Sequence, residues 1–135
     1  MRAAAKYGQA FNITVSASAP NDLPDRLRDL DEACRLEKRD PKTLLRSAFL
    51  VACVGKTRAE AESRLDDVAK RQKTDRKSLL ASRPGLVFGT PDEAAEKLRS
   101  YADKGIGHAN IMFQPMGSER DQIAALVPIT SQFRS

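Results

Sequence analysis

"LVFGTPDEAAEKLRSYADKGIGHANIMFQP" occupies Leu86–Pro115, and its reading decides the fold. Thr90 can cap a helix, and Pro91 suits the first helical position, where no N–H is needed. Glu93, three residues after Thr90, completes a capping box. Asp92 and Glu93 place negative charge at the positive end of that helix. Ala94, Leu98 and Tyr101 or Ala102 recur at helical spacing and mark its inward face. Gly105 and Gly107 end the helix and turn the chain, and "HANIMF", His108–Phe113, enters as a buried strand. A turn, a capped helix, a glycine break and a strand make one unit of a parallel α/β protein.

The same alternation extends in both directions. Arg2–Tyr7 reads as a short helix stopped by Gly8, and Ala10–Ala17 is rich in strand formers. Asn21 or Asp22 can cap a helix reaching about Arg39, whose single apolar stripe is Leu23, Leu27, Leu30 and Cys34. Leu45–Val54 is almost uniformly apolar after Arg46, as a strand covered on both faces would be. Thr57 and Glu60 form a second capping box, opening a helix to about Lys70 with Ala61, Leu65 and Val68 inward. A short helix from Thr74 or Asp75 to Ala81 follows. After Phe113 a last helix begins near Ser118, with Ile123, Leu126 and Val127 inward and a kink or break at Pro128. Every strand-to-strand link is long enough for a helical crossover, which implies parallel neighbours and right-handed connections.

Composition narrows the function classes. The chain has 135 residues, 23 basic and 18 acidic, and a net charge of +5. The densest basic run, Lys70–Lys77, reads as the solvated end of a helix. With 5 Phe, 2 Tyr and no Trp there is little to stack bases on, so nucleic acid is not the expected partner. No apolar run is long enough to span a membrane. Cys34 and Cys53 are far apart and lie among apolar residues, which suggests buried free thiols and a reducing, cytoplasmic setting. One histidine cannot make the usual zinc sites, and no metal site is expected. "GIGHAN" closes a helix and opens a strand, the reverse of a dinucleotide fingerprint.

Three strands wanting cover on both faces are too few to shield one another. A closed eight-stranded barrel takes roughly 250 residues. The expected architecture is therefore α/β: parallel strand–helix units resembling the last part of a (β/α)8 TIM barrel, incomplete as it stands. A small open α/β sheet is the alternative.

"FGTPDEAAEKLRSYADKGIGHANIMF" resembles the C-terminal segment of the luciferase-like monooxygenases, which include alkanesulfonate monooxygenases and deazaflavin enzymes; Gly89, Thr90, Pro91, Asp92 and Gly105 match that pattern. "AAAKYGQAFN", Ala3–Asn12, resembles an earlier segment of the same family, and "LEKRDPKTLLRSAFLVACVG" its linker into the seventh strand. The resemblance runs from about Arg2 to Phe133. It implies a single partial domain over residues 1–135, the C-terminal half of a luciferase-like barrel. It implies FMN or a deazaflavin (coenzyme F-420) as cofactor, with its ring at the C-terminal mouth, and a small organic substrate that is oxidised, oxygenated or stripped of hydride. Gln9 and Phe11 depart from the family, where aspartate and tryptophan are frequent.

On that resemblance Asn12, at the end of the first strand, and Phe11 contact the cofactor, while Arg2 and Lys6 help hold its phosphate. Gln114 and Pro115, after the last strand, face the substrate. The plainer alternatives are a loop-stabilising asparagine, a core phenylalanine and ordinary surface charge. No catalytic residue is designated, and His108, before the last strand, is read as a turn residue. A chain without the earlier strands would lack most of the pocket. It is therefore expected to be inactive alone, or to be an interaction module that forms a homo-oligomer or pairs with a complementary half-barrel.

Overall fold

The computed structural model describes residues 1–15 and 22–133. Along them run α1 (Arg2–Tyr7), β1 (Ala10–Thr14), α2 (Leu23–Leu36), β2 (Leu45–Val54), α3 (Arg58–Arg71), α4 (Arg76–Ser82), β3 (Val87–Gly89), α5 (Pro91–Asp103), β4 (His108–Phe113) and α6 (Glu119–Leu126). Short 3-10 turns cover Pro41–Thr43 and Val127–Phe133. All strand pairs are parallel.

The ten-residue β2 is the axis of the sheet. Successive peptide groups of a strand point to opposite sides, so residue parity tells which neighbour each serves. Leu45 N–H donates to Gln9 O and Phe49 O accepts from Val15 N–H, towards β1. Arg46 O accepts from Gly107 N–H and Ala52 O from Gln114 N–H, towards β4. Gly55 N–H donates to Gly89 O and so shares the β1 side. On that side β1 matches Leu45–Phe49 and β3 matches Ala52–Val54, end to end. β4 matches Ser47–Ala52 on the other side. Among the described residues no strand pairs with the outer edge of β1 or of β4. The result is an open parallel sheet with flanking helices, consistent with an incomplete barrel.

Side chains of β2 divide by the same alternation. Ala48, Leu50, Ala52 and Val54 are buried with Ile13, Val87, Leu23 and Leu27 of α2, Ala94 and Tyr101 of α5, and Leu126 of α6. On the opposite face Cys53 and Val51 meet Leu65, Val68 and Leu79 of α3 and α4. Those two helices cover only the C-terminal end of that face. Towards its other end Asn12, Thr14, Asn110 and Met112 are exposed.

The opening stretch forms the helix its residues specify. Thr90 Oγ1 accepts from Glu93 N–H at 3.4 Å, and Glu93 Oε2 accepts from Thr90 N–H at 2.8 Å. Tyr101 anchors the other end by donating its hydroxyl to Gly85 O at 3.0 Å. Gly105, at φ +95, makes the turn into β4.

Five expectations need correction. A fourth strand exists: Val87–Gly89 is only three residues long and merges in sequence with the turn before Thr90. β4 is not buried but largely exposed, because it forms the edge of the sheet. α2 ends at Leu36, since Lys38 takes φ 56, and Asp22 makes no side-chain cap. Asn21, the other proposed cap, lies outside the described residues, as does the expected continuation of the first strand. Thr57 caps α3 through Glu60 N–H, but Glu60 reaches back to Lys56 N–H and not to Thr57, so the box is not closed. In α6 the inward residues are Gln122, Ala125 and Leu126, while Ile123 is 51% and Val127 58% exposed.

Both cysteines are free and buried. Burial pushes the Cys53 thiol up to about 12, partly countered by Arg64, and the thiolate is the reactive form. A thiol-specific chromogenic reagent at mildly alkaline pH is expected to modify Cys53 only after denaturant is added. Rapid modification of the folded chain at Cys53 would contradict this packing.

Candidate functional site

The C-terminal end of a parallel sheet is where loops converge and ligands are bound in α/β folds. Here β4 leaves the sheet at Gln114, whose N–H makes the last rung, to Ala52 O at 2.8 Å. The next group of β2 on that side is Val54 N–H, and β4 has no carbonyl left for it. Gln122 supplies one. Its Oε1 accepts from Val54 N–H at 2.8 Å, and its Nε2 donates to Gln114 O at 2.9 Å and Ser118 Oγ at 2.7 Å. The side chain is fully buried and acts as the peptide group that the departing strand omits.

The turn held this way contains the cis Gln114–Pro115 peptide. Gln114 Oε1 accepts from Arg83 at 3.3 Å, and Arg83 also donates to Gln72 Oε1 at 2.9 Å. Val68, Arg71, Gln72, Gln114, Pro115 and Met116 line a cavity of about 140 Å³ beside it. The groups gathered here are amides and guanidiniums, which bind and orient but do not exchange protons near neutral pH.

A second polar group lies on the open face of the sheet. Asn12 Oδ1 accepts from Ser47 Oγ at 2.9 Å and from Asn110 Nδ2 at 3.1 Å. Register explains the meeting: Asn12 is paired with Ser47, and Ser47 and Phe49 with His108 and Asn110. Asn12 is therefore in the middle of β1 and not at its end, and it faces the sheet's open side.

The residues singled out from sequence do not form one cluster. Gln114 and Pro115 are together at the C-terminal end. Phe11 precedes Asn12 and points to the opposite face, packing against the core and the α1–α2 cluster. Arg2 is on the surface with its guanidinium on Glu37 at 2.8 Å. Lys6 lies over the Tyr7 ring at 5.1 Å. His108 is exposed at the start of β4. Sequence reasoning does not point to Gln122, Arg83, Ser47 or Asn110. A signal for Gln122 is nevertheless present: it shares a helix face with Ala125 and Leu126, and a polar residue on an inward face needs partners. Asn110 has no such signal, because its contact with Asn12 depends on strand order.

Among the described residues no group of His, Cys, Asp or Glu is placed to hold a metal ion. No helix there is long and apolar enough to cross a membrane.

This open parallel sheet with its crossover helices recurs within larger solved structures. The long-chain alkane monooxygenase structure superposes with a TM-score of 0.76 at 18% identity, covering 97% of this chain and 38% of that one. Riboflavin lyase with modified FMN and riboflavin gives 0.72 at 16%, covering 97% and 40%. The coenzyme F-420-dependent tetrahydromethanopterin reductase of Methanopyrus kandleri gives 0.70 at 14%, covering 98% and 48%. The chain thus spans less than half the length of each of these structures. No protein-family model matches it, and no curated protein matches it in sequence.

Proposed function

We propose that this chain is the C-terminal part of a flavin- or deazaflavin-dependent oxidoreductase or monooxygenase barrel acting on a small organic substrate. The observation that carries the reading is the near-complete superposition on such enzymes at a TM-score of up to 0.76. The sequence resemblance from Arg2 to Phe133 supports it independently. FMN or coenzyme F-420 would supply the redox chemistry, accepting or donating hydride or activating oxygen. The chain's own residues fit one wall of such a site. Asn12, Ser47 and Asn110 offer amide and hydroxyl groups beside the apolar surfaces of Phe49, Val51 and Met112. The Gln114–Pro115 turn closes the C-terminal end, where the substrate would lie. Arg2 and Lys6 remain the candidates for phosphate contact, with Arg2 having to release Glu37.

Two sheet edges without strand partners among the described residues favour a second reading, that the chain is a partial domain completed by association. An apolar groove of about 780 Å³ along β4, lined by Leu98, Tyr101, Ile106, Ile111 and Phe133 among others, adds surface that a neighbour would cover. The occupant would be a second copy or a complementary half-barrel.

One experiment addresses both. FMN and coenzyme F-420 are titrated into the chain with fluorescence detection, and its mass is followed by sedimentation. Saturable binding of either cofactor supports the enzymatic reading. Binding of neither by a self-associated species leaves the interaction reading, and a monomer that binds neither defeats both.

A further inference from the structure

We propose that the cavity at the C-terminal end of the sheet binds an oxyanion — a carboxylate, sulfonate or phosphate — carried by a small organic ligand. Arg71 lines it directly, and Arg83 stands behind the amides of Gln72 and Gln114 that form its wall. The idea rests on the reading of this end as the substrate end, and it deepens that reading by naming acidic ligands.

Charge balance is the first ground. Arg2, Arg28, Arg35, Arg46, Arg58, Arg64 and Arg76 all hold carboxylates. Arg71 and Arg83 hold none among the described residues, nor do Arg26, Arg39, Arg99 and Arg120; of these six, Arg71 lines this cavity and Arg83 stands behind its wall. Both hydrogen bonds of Arg83 go to neutral amide oxygens, which orient the guanidinium without cancelling its charge. Asp66 is paired with Arg76, and Asp67, one helical turn before Arg71, is exposed and makes no ion pair with it. Arg71 is also the kind of residue a helix C-terminus attracts. Arg83, beyond the end of α4 and half-buried, has no such reason for its place, and so it carries more of the weight.

Shape and chemistry are the second ground. About 140 Å³ is the room of roughly four or five waters. That suits an oxyanion with a short stem and is too small for an isoalloxazine ring. Val68, Pro115 and Met116 give the stem an apolar floor. A guanidinium fork is the side chain best matched to a planar or tetrahedral oxyanion. Gln114 ties the site to the sheet, because its backbone is fixed by Ala52 and Gln122.

The test is a backbone-amide NMR titration of the intact chain with sodium methanesulfonate and with inorganic phosphate, each against sodium chloride at matched ionic strength. Saturable shifts centred on Gln72, Arg83, Gln114 and Met116 are expected. Arg71→Gln should weaken binding about tenfold or more, as loss of a charged hydrogen bond does, and Arg83→Gln should also weaken it severalfold, by removing the uncancelled charge behind Gln72 and Gln114. Unchanged spectra outside the site show that each variant folds. Shifts no larger than with chloride would overturn the proposal. So would shifts centred on Lys70, Lys73 and Lys77 that persist in both variants.

Parallel titrations with FMN and riboflavin separate this proposal from the cofactor reading. If FMN binds equally to wild type and Arg83→Gln while methanesulfonate does not bind, the anion site fails and the cofactor reading stands. If methanesulfonate binds while neither FMN nor coenzyme F-420 does, the reverse holds. If Arg83→Gln weakens FMN but not riboflavin, the oxyanion site stands and its ligand is the cofactor phosphate.

Discussion

Replacing Gln122 by methionine is expected to lower the stability of the folded chain by about 2–4 kcal/mol, the cost of leaving buried polar groups without partners. Methionine nearly conserves volume, so the loss is not a cavity effect. What disappears is the acceptor for Val54 N–H and the donor to Gln114 O. Val54 is fully buried, and water cannot replace the bond. The comparison is Ile123→Gln, one residue along the same helix. Ile123 is 51% exposed, and its substitution should change stability by no more than about 0.5 kcal/mol. Urea denaturation of both variants measures the difference. A neutral Gln122→Met beside a damaging Ile123→Gln would mean that α6 is rotated from the orientation described.

The second large effect is expected at Gly89. It ends β3 at φ +117, and a Cβ there would collide with the Glu93 carboxylate. Gly89→Ala therefore incurs backbone strain of about 1–2 kcal/mol and also displaces the side chain that closes the box on Thr90 N–H. Loss of a cap adds about 1 kcal/mol, so the total should be roughly 2–3 kcal/mol by the same principles. Arg58 would be disturbed too, since it holds Glu93 at 2.7 Å. Gly117→Ala is the control. Gly117 has φ +94, but a Cβ at that position would meet no atom within 4 Å, so it reports backbone strain alone. If the two glycines respond equally in urea titrations, Glu93 has room to move and the box is not the reason for Gly89.

These two sites differ in how far the sequence reveals them, and the difference is physical. The Thr90–Glu93 box depends on residues three apart, so its chemistry is complete within one turn of chain. The parallel crossovers and the stripe of Leu23, Leu27, Leu30 and Cys34 are readable for the same reason, because periodicity is local. β3 escapes because three residues give no period to detect. Hydrophobicity assigns the inward face of α6 to its most apolar residues, yet the sheet needs a hydrogen-bonding group there more than another aliphatic one. The contact between Asn12 and Asn110 spans 98 positions. Nothing in either neighbourhood announces it, and only the placing of β1 and β4 on opposite sides of β2 creates it. Arg83 reads as part of a chain-breaking "SRPG" segment. The role proposed for it rests on its having only amide partners among the described residues, which a linear reading cannot register.

The seam on one flank of β2 divides how the sheet is held. β1 stops opposite Phe49, and β3 starts opposite Ala52. Among the described residues the two ladders share a backbone but no rung. Each end is therefore secured by its own contacts: the Thr90–Glu93 box and the Gly55–Gly89 bond at one, the Asn12–Ser47 bond at the other.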